Sequence, residues 1–204
     1  IAILSSLAYR EYFDYKDIST EGITKITPED MEYAAKLGRT IKLLGTSRRN
    51  ADGTCYAMVA PFLIGRDSPL YSVNDVFNAV FVHGNMLGDA MFYGSGAGKL
   101  PTASAVVGDI VDAAKHLHTN IFTNWNSTPA KLRPLDQVSG RFFVRVKKEA
   151  AEEAKEVFEN AEMICLDQLP EECAFITTDM TQGEFCAKAE KLGDKVLAKI
   201  RVKD

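Results

Sequence analysis

Histidine is almost absent from this 204-residue chain, with three in all, and tryptophan occurs once. His83, His116 and His118 have no cysteine or carboxylate at ligand or triad spacing, so neither a histidine-based metal centre nor a nucleophile–base pair is expected. No catalytic and no metal-binding residue is therefore named. The four cysteines, Cys55, Cys165, Cys173 and Cys186, are scattered without C-x-x-C spacing, which excludes a zinc knuckle and a disulfide framework; all four read as reduced thiols, with Cys165 and Cys173 as possible cross-strand neighbours. Long apolar runs are also missing. Nothing approaches the roughly 18 residues of a membrane span, and the apolar start at Ile1 lacks the basic flank of a signal peptide, so a cytoplasmic protein is expected. Positive charge is in deficit too: the formal net charge of -4 argues against nucleic acid as a partner.

What is present suits one or two ordinary cores, with 46% apolar and 25% charged residues. The chain opens on a helix from Ile1 to Tyr9, followed by a polar loop to Thr27. Thr27 as N-cap, Pro28 in the first turn and Asp30 at the third position then start a helix whose apolar face is Met31, Ala34, Ala35 and Leu37, and which Gly38 ends. Arg39 to Arg48 and Cys55 to Ile64 read as strands joined by the turn Asn50-Ala51-Asp52-Gly53, whose Asp-Gly would supply positive φ angles. Further strands are expected near Ala79 to His83 and Ala90 to Tyr93, making four adjacent antiparallel strands with one face to cover.

The most informative stretch follows. Gly94, Gly96 and Gly98 stand at alternate positions in Tyr93-Gly94-Ser95-Gly96-Ala97-Gly98-Lys99, and each removes a Cβ that would hold a ligand or chain segment away from the backbone. A helix begins at Pro101 or Thr102 and runs to about Leu117, with Val106, Val107, Ile110, Val111 and Ala114 expected to be well buried. Its free N–H groups would face the loop, which suits a phosphate or a cofactor edge as well as simple close packing. The loop is not a nucleoside-triphosphate P-loop, because Tyr93 and Leu100 occupy required places around Gly98-Lys99, and its spacing is not that of a dinucleotide fingerprint.

Asn74-Asp75-Val76-Phe77-Asn78-Ala79-Val80-Phe81-Val82-His83-Gly84, then Gly88-Asp89-Ala90-Met91-Phe92-Tyr93-Gly94 and the Pro101-Thr102-Ala103-Ser104-Ala105-Val106-Val107 helix, resemble bacterial homoserine dehydrogenase. The likeness extends back through Glu21-Gly22-Ile23-Thr24-Lys25-Ile26-Thr27 and Ile41-Lys42-Leu43-Leu44 to Ile1-Ala2-Ile3-Leu4, covering roughly the first 117 residues. The resemblance implies a dimerisation sheet, hence a homodimer or tetramer, and an NAD(P) cofactor whose Rossmann domain, with an acid-rich segment and a catalytic lysine, lies upstream of Ile1. It implies that Gly98, with Gly96 as weaker support, meets the dinucleotide through its backbone, and that the helix from Thr102 to about Leu117 packs on the Rossmann domain. Asp89, Asp109 and Glu21 read as structural acids.

Residues 118–140 have a linker's composition, with Trp125 as a packing anchor. Beyond them Arg141 to Lys147 alternates as a strand, Glu149 to Asn160 reads as a helix with Ala150, Ala154, Val157 and Phe158 inward, and Glu162 to Leu166 and Cys173 to Thr178 read as strands. Gly183 to Leu192 is a helix closed by Gly193, and Val196 to Val202 a last strand. This βαββαβ order resembles an ACT domain, which binds amino acids. The chain departs from that family's acidic-Pro-Gly turn, having Lys147-Lys148-Glu149-Ala150-Ala151 instead, which puts threonine binding in doubt.

The fold expected is therefore α+β: an antiparallel or mixed sheet with covering helices in a catalytic and dimerisation region at 1–117, a linker at 118–140, and an ACT-like, ferredoxin-like domain at 141–204. Two functions compete. One is a part of homoserine dehydrogenase, interconverting L-homoserine and L-aspartate 4-semialdehyde with NAD(P), in which these 204 residues alone are inactive. The other is a non-catalytic dimerisation and amino-acid-sensing module, with threonine as its possible effector.

Overall fold

A computed structural model describes residues 1–122, 125–159 and 161–203. Thr123 and Asn124 of the expected linker, Asn160 at the end of an expected helix, and Asp204 of the expected last domain lie outside the described residues. In chain order the elements are α1 (Ala2–Tyr9), β1 (Ser19–Thr20), α2 (Pro28–Lys36), β2 (Arg39–Arg49), β3 (Cys55–Gly65), β4 (Phe77–Gly84), β5 (Gly88–Ser95), α3 (Lys99–Lys115), β6 (Ser139–Lys147), α4 (Ala151–Val157), β7 (Glu172–Ile176), β8 (Met180–Thr181), α5 (Gln182–Leu192) and β9 (Val196–Lys203). They fall into two units, 1–65 with 124–204, and 66–123.

The larger unit is built on a seven-stranded mixed sheet. Its path runs β1-β3-β9-β6-β7, with β2 paired along β3 and β8 on the start of β6. The β2–β3 hairpin forms as its sequence predicts, from Arg39↔Gly65 to Arg49↔Cys55, but of the Asp-Gly pair only Gly53 takes a positive φ (81°). β6 shows why the sheet is covered on both faces. Phe142, Val144 and Val146 point into a core with Ala154, Phe158, Phe175, Phe185 and Leu192, beneath α4 and α5; Phe143, from the alternate set, packs with Tyr33, Ala34, Leu63 and Ile200 beneath α2. Phe142 and Phe185 stack at 4.0 Å between ring centroids, at the centre of the first core.

Several expectations need correction. The four strands of the first half do not form one sheet: β2 and β3 continue through β9 into β6 and β7, while β4 and β5 pair only with each other. The reason is a short parallel contact, Phe62↔Arg201 to Ile64↔Lys203, which joins residues far apart in sequence and gives the end of β3 a backbone partner on its second edge. The sheet thus runs across the divisions expected at 117 and 140. Residues 125–138 are not a free linker, since Tyr12 donates to Thr128, Cys55 to Lys131, and Arg133 to Cys55 through their backbones, placing Ala130 and Leu132 against Phe13, Ile18 and Ala57. Trp125 is half-buried.

In the carboxy-terminal part the expected strand at 162–166 is reduced to a single bridge, Ile164↔Ala174, and α4 is shorter than expected, preceded by a 3-10 turn at Lys148–Ala150. The sheet order there is β9-β6-β7 with Ile164 beyond β7, every neighbour antiparallel.

The smaller unit is the β4–β5 ribbon, paired from Phe77↔Ser95 to Gly84↔Gly88, followed by α3. α3 starts at Lys99, one turn earlier than a Thr102 cap would give, so Pro101 sits in the first turn. Contrary to expectation it buries none of its residues: Leu100, Val106, Val107, Ile110 and Val111 are all exposed.

Candidate functional site

The glycine loop between β5 and α3 is where the described structure is most constrained by backbone. Gly98 is the N-cap of α3 with φ 114° and ψ 157°, a region closed to any residue with a Cβ, and it accepts the Thr102 N–H at 3.2 Å. Gly96 donates its N–H to the Val76 carbonyl at 3.1 Å, and a Cβ on it would collide with the Asn78 amide, whose Cγ would stand 2.9 Å away. Gly94 differs, since a Cβ there meets nothing within 4 Å. The alternate glycines therefore do separate jobs: Gly96 seals the loop to β4, and Gly98 turns the chain into the helix.

No side chain caps α3. Pro101 has no N–H to offer, which leaves those of Lys99 and Leu100 at the helix start beside a loop lacking side chains at 96 and 98. Such a terminus can receive an anion or the edge of a planar group through backbone donors alone. The structure thus brings Gly96 and Gly98 together in one short loop of the smaller unit.

Sequence reasoning missed the acids beside the histidines. The β4–β5 register sets His83 opposite Asp89, with Nδ1 2.6 Å from the carboxylate, and on α3 His116 Nδ1 lies 2.9 Å from the Asp112 carbonyl and 3.5 Å from its carboxylate. His83 and Asp89 are both largely exposed, so this is a solvated cross-strand pair. The signal was available, since Asp89 follows His83 by six positions around a Gly84–Gly88 turn, but it required the hairpin register.

The larger unit holds a buried charge cluster that the sequence did not announce. Arg145, on the α2 side of β6, has Nε 3.1 Å from Asp30 and Nη1 3.3 Å from Glu172, with Glu29 at 3.7 Å. Asp30 is fully buried, and its other oxygen accepts the Thr27 N–H at 2.9 Å, so one carboxylate both caps α2 and anchors it to the sheet. Burial raises the Glu172 carboxyl despite Arg145, whereas hydrogen bonding to Thr27 keeps Glu29 below its ordinary value. The nearby Tyr33 hydroxyl, buried and without a hydrogen bond, is pushed up to about 12 by desolvation. Of the expected structural acids, Glu21 pairs with Arg201 at 3.0 Å. Among the described residues no group of histidine, cysteine and carboxylate side chains could hold a metal ion, and no helix is long and apolar enough to cross a membrane.

Comparison with known proteins bears on both units. The sequence model of the family described as homoserine dehydrogenase matches residues 1–111. Homoserine dehydrogenase of Bacillus subtilis is 40% identical over 125 residues, covering 61% of this chain and 28% of that protein; that of Neisseria gonorrhoeae is 37% identical over 155 residues, covering 72% and 35%. The crystal structure of a homoserine dehydrogenase from Thiobacillus denitrificans superposes with a TM-score of 0.83 at 27% identity, over 100% of this chain and 51% of that one. The chain spans about a third of the length of these curated relatives, 28% and 35%, and about half, 51%, of the solved one.

Proposed function

The chain belongs to the homoserine dehydrogenase family, and we propose that it forms the dimerisation and cofactor-closing part of an enzyme that moves a hydride between NAD(P)H and L-aspartate 4-semialdehyde, giving L-homoserine. The observation that carries this reading is the glycine loop. It ends in an uncapped helix start, with Gly98 at φ 114° and Gly96 sealed against Asn78, inside the residues that match the family. In this reading the Gly98 backbone lies against the dinucleotide, and Gly96 keeps the loop flat enough for it to do so. The 204 residues contain no dinucleotide fingerprint, so the Rossmann fold and the proton-transferring groups are supplied by other residues, and the exposed apolar side of α3 packs on that fold. The chain works as a homodimer or tetramer in the cytoplasm, in threonine and methionine biosynthesis.

The chain's own contribution is positional. Backbone N–H groups at the α3 start orient the cofactor and move no proton, and the cofactor, when bound, supplies the hydride chemistry. Substituting Gly98 by Val in the full-length enzyme tests this: KM for the dinucleotide rises at least tenfold while KM for homoserine changes little. An unchanged cofactor KM would remove Gly98 from the site.

A second reading has one observation of its own. The β9-β6-β7 order with Ile164 beyond β7 is the strand order of a ferredoxin-like βαββαβ unit, which favours an ACT-like regulatory module at 141–204. Threonine would then be its effector, although the turn at Lys147–Ala151 contains no glycine. Calorimetric titration of threonine into the chain decides between a sensing unit and a structural one.

A further inference from the structure

Lys148 Nζ stands 2.9 Å from Cys165 Sγ, and both side chains are exposed. Their backbones are held to the same strand. The Lys148 N–H donates to the Glu171 carbonyl at 2.8 Å, just before β7, while Ile164, which precedes Cys165, exchanges both its backbone hydrogen bonds with Ala174 of β7 at 2.7 and 2.9 Å. An amine and a thiol are thus presented to each other and to solvent from two fixed points, at a separation that one bridging atom spans. The remaining cysteines are not so placed: burial raises the thiols of Cys55 and Cys173, and Cys186 is half-buried with Gln182 Nε2 at 3.8 Å.

The geometry points to Lys148 and Cys165 as a redox-formed covalent strap, an Nζ–O–Sγ bridge made by hydrogen peroxide and opened by thiols. The chemistry closes in two steps. The Cys165 sulfur, as its thiolate, attacks an oxygen of a first peroxide: an S–O bond forms, the O–O bond breaks, hydroxide leaves and takes up the thiol's proton as water, and the sulfur, having given up two electrons, is left as a sulfenic acid. The contact with Cys165 holds the Lys148 ammonium above its ordinary pKa, so replacing that sulfur contact by a sulfenic acid eases release of the ammonium proton. A second peroxide takes one hydrogen from the amine and one from the sulfenic acid, two waters form, and nitrogen is joined to the sulfenic oxygen. In sum, amine, thiol and two peroxides give the bridge and three waters. Four thiol equivalents return the amine and thiol with one water and two disulfides.

The strap would tie the 3-10 turn at Lys148–Ala150, which feeds α4, to the segment beside Ile164, so that the β6–α4 connection could no longer move independently. This inference is independent of the enzymatic reading above.

The test treats the chain with hydrogen peroxide and reads its intact mass and its proteolytic peptides. The expected product has gained one oxygen and lost two hydrogens, yields one linked peptide containing both Lys148 and Cys165, and returns to the starting mass with dithiothreitol. Lys148→Arg keeps the cation but has no bridging amine, so its Cys165 stops at a sulfenic acid that dimedone traps, without a linked peptide. Cys165→Ser gives neither product. Oxidation of wild-type Cys165 to sulfenic or sulfinic acid without linkage would overturn the proposal, as would a linked product that had lost two hydrogens and gained no oxygen.

Discussion

Arg145 Nε lies 3.1 Å from Asp30 Oδ1, a contact between two charges buried under α2, and neither of these atoms makes a hydrogen bond. The pair links a helix cap to β6, with the Glu172 and Glu29 carboxylates also facing the same guanidinium. Removing Asp30 takes away the cap of α2 and its buried tie to Arg145, which keeps Glu172 and Glu29. Asp30→Ala should therefore lower stability by about 1–3 kcal/mol, measured by urea denaturation. A loss no larger than that of an exposed carboxylate would show that the site relaxes open.

Tyr33 gives the cluster an alkaline signature. Its folded pKa, about 12, lies above the unfolded value, so the folded state holds its proton more tightly. That stability is full below about 10 and is lost as pH rises toward 12. Absorbance titration should show one of the seven tyrosines ionising last, together with unfolding, and Tyr33→Phe should remove that component.

The acid limb has the opposite sign. Glu184 accepts the Thr181 N–H at 2.8 Å in the α5 capping box, and Asp52 accepts from Thr54; both carboxyls are held below their ordinary values. Their contribution is present above the unfolded carboxylate pKa and lost as pH falls through the folded one. Glu184→Gln should flatten the decline of the denaturation midpoint between neutrality and about pH 3.

The glycine loop separates backbone need from mere composition. Gly98→Ala forces a Cβ into φ 114° and should cost about 1–3 kcal/mol locally; Gly96→Ala collides with Asn78; Gly94→Ala should be nearly neutral. Hydrogen exchange across residues 94–102 reads all three. Equal effects at the three positions would refute the assignment of separate roles.

The apolar side of α3 predicts behaviour in solution. Val107 and Ile110 are 58% and 61% exposed, so Val107→Glu with Ile110→Glu should suppress concentration-dependent association, read by sedimentation. Association that persists unchanged in the double variant would contradict this.

Local chemistry made much of this legible in sequence. The Thr27–Asp30 box, the alternation of Phe142 to Lys147 and the Asn50–Gly53 turn each depend on neighbours a few residues away, and each forms a real element. The parallel join of β3 to β9 did not show, because Phe62 and Arg201 meet through a contact that no local period encodes. The alternation along Arg141 to Lys147 does not tell that the Arg145 side is buried, which only the arrival of α2 brings about. His83 and Asp89 were visible singly and become a pair only through register. Gly96 and Gly98 stood out at once, whereas Lys148 and Cys165 meet only because both flank β7.

The most direct measurement is homoserine-dependent reduction of NADP and NAD by this chain alone, beside the same chain joined to the amino-terminal part of a homoserine dehydrogenase relative. The account predicts turnover only in the joined protein. Turnover by the 204 residues alone, or none from either form, would contradict it.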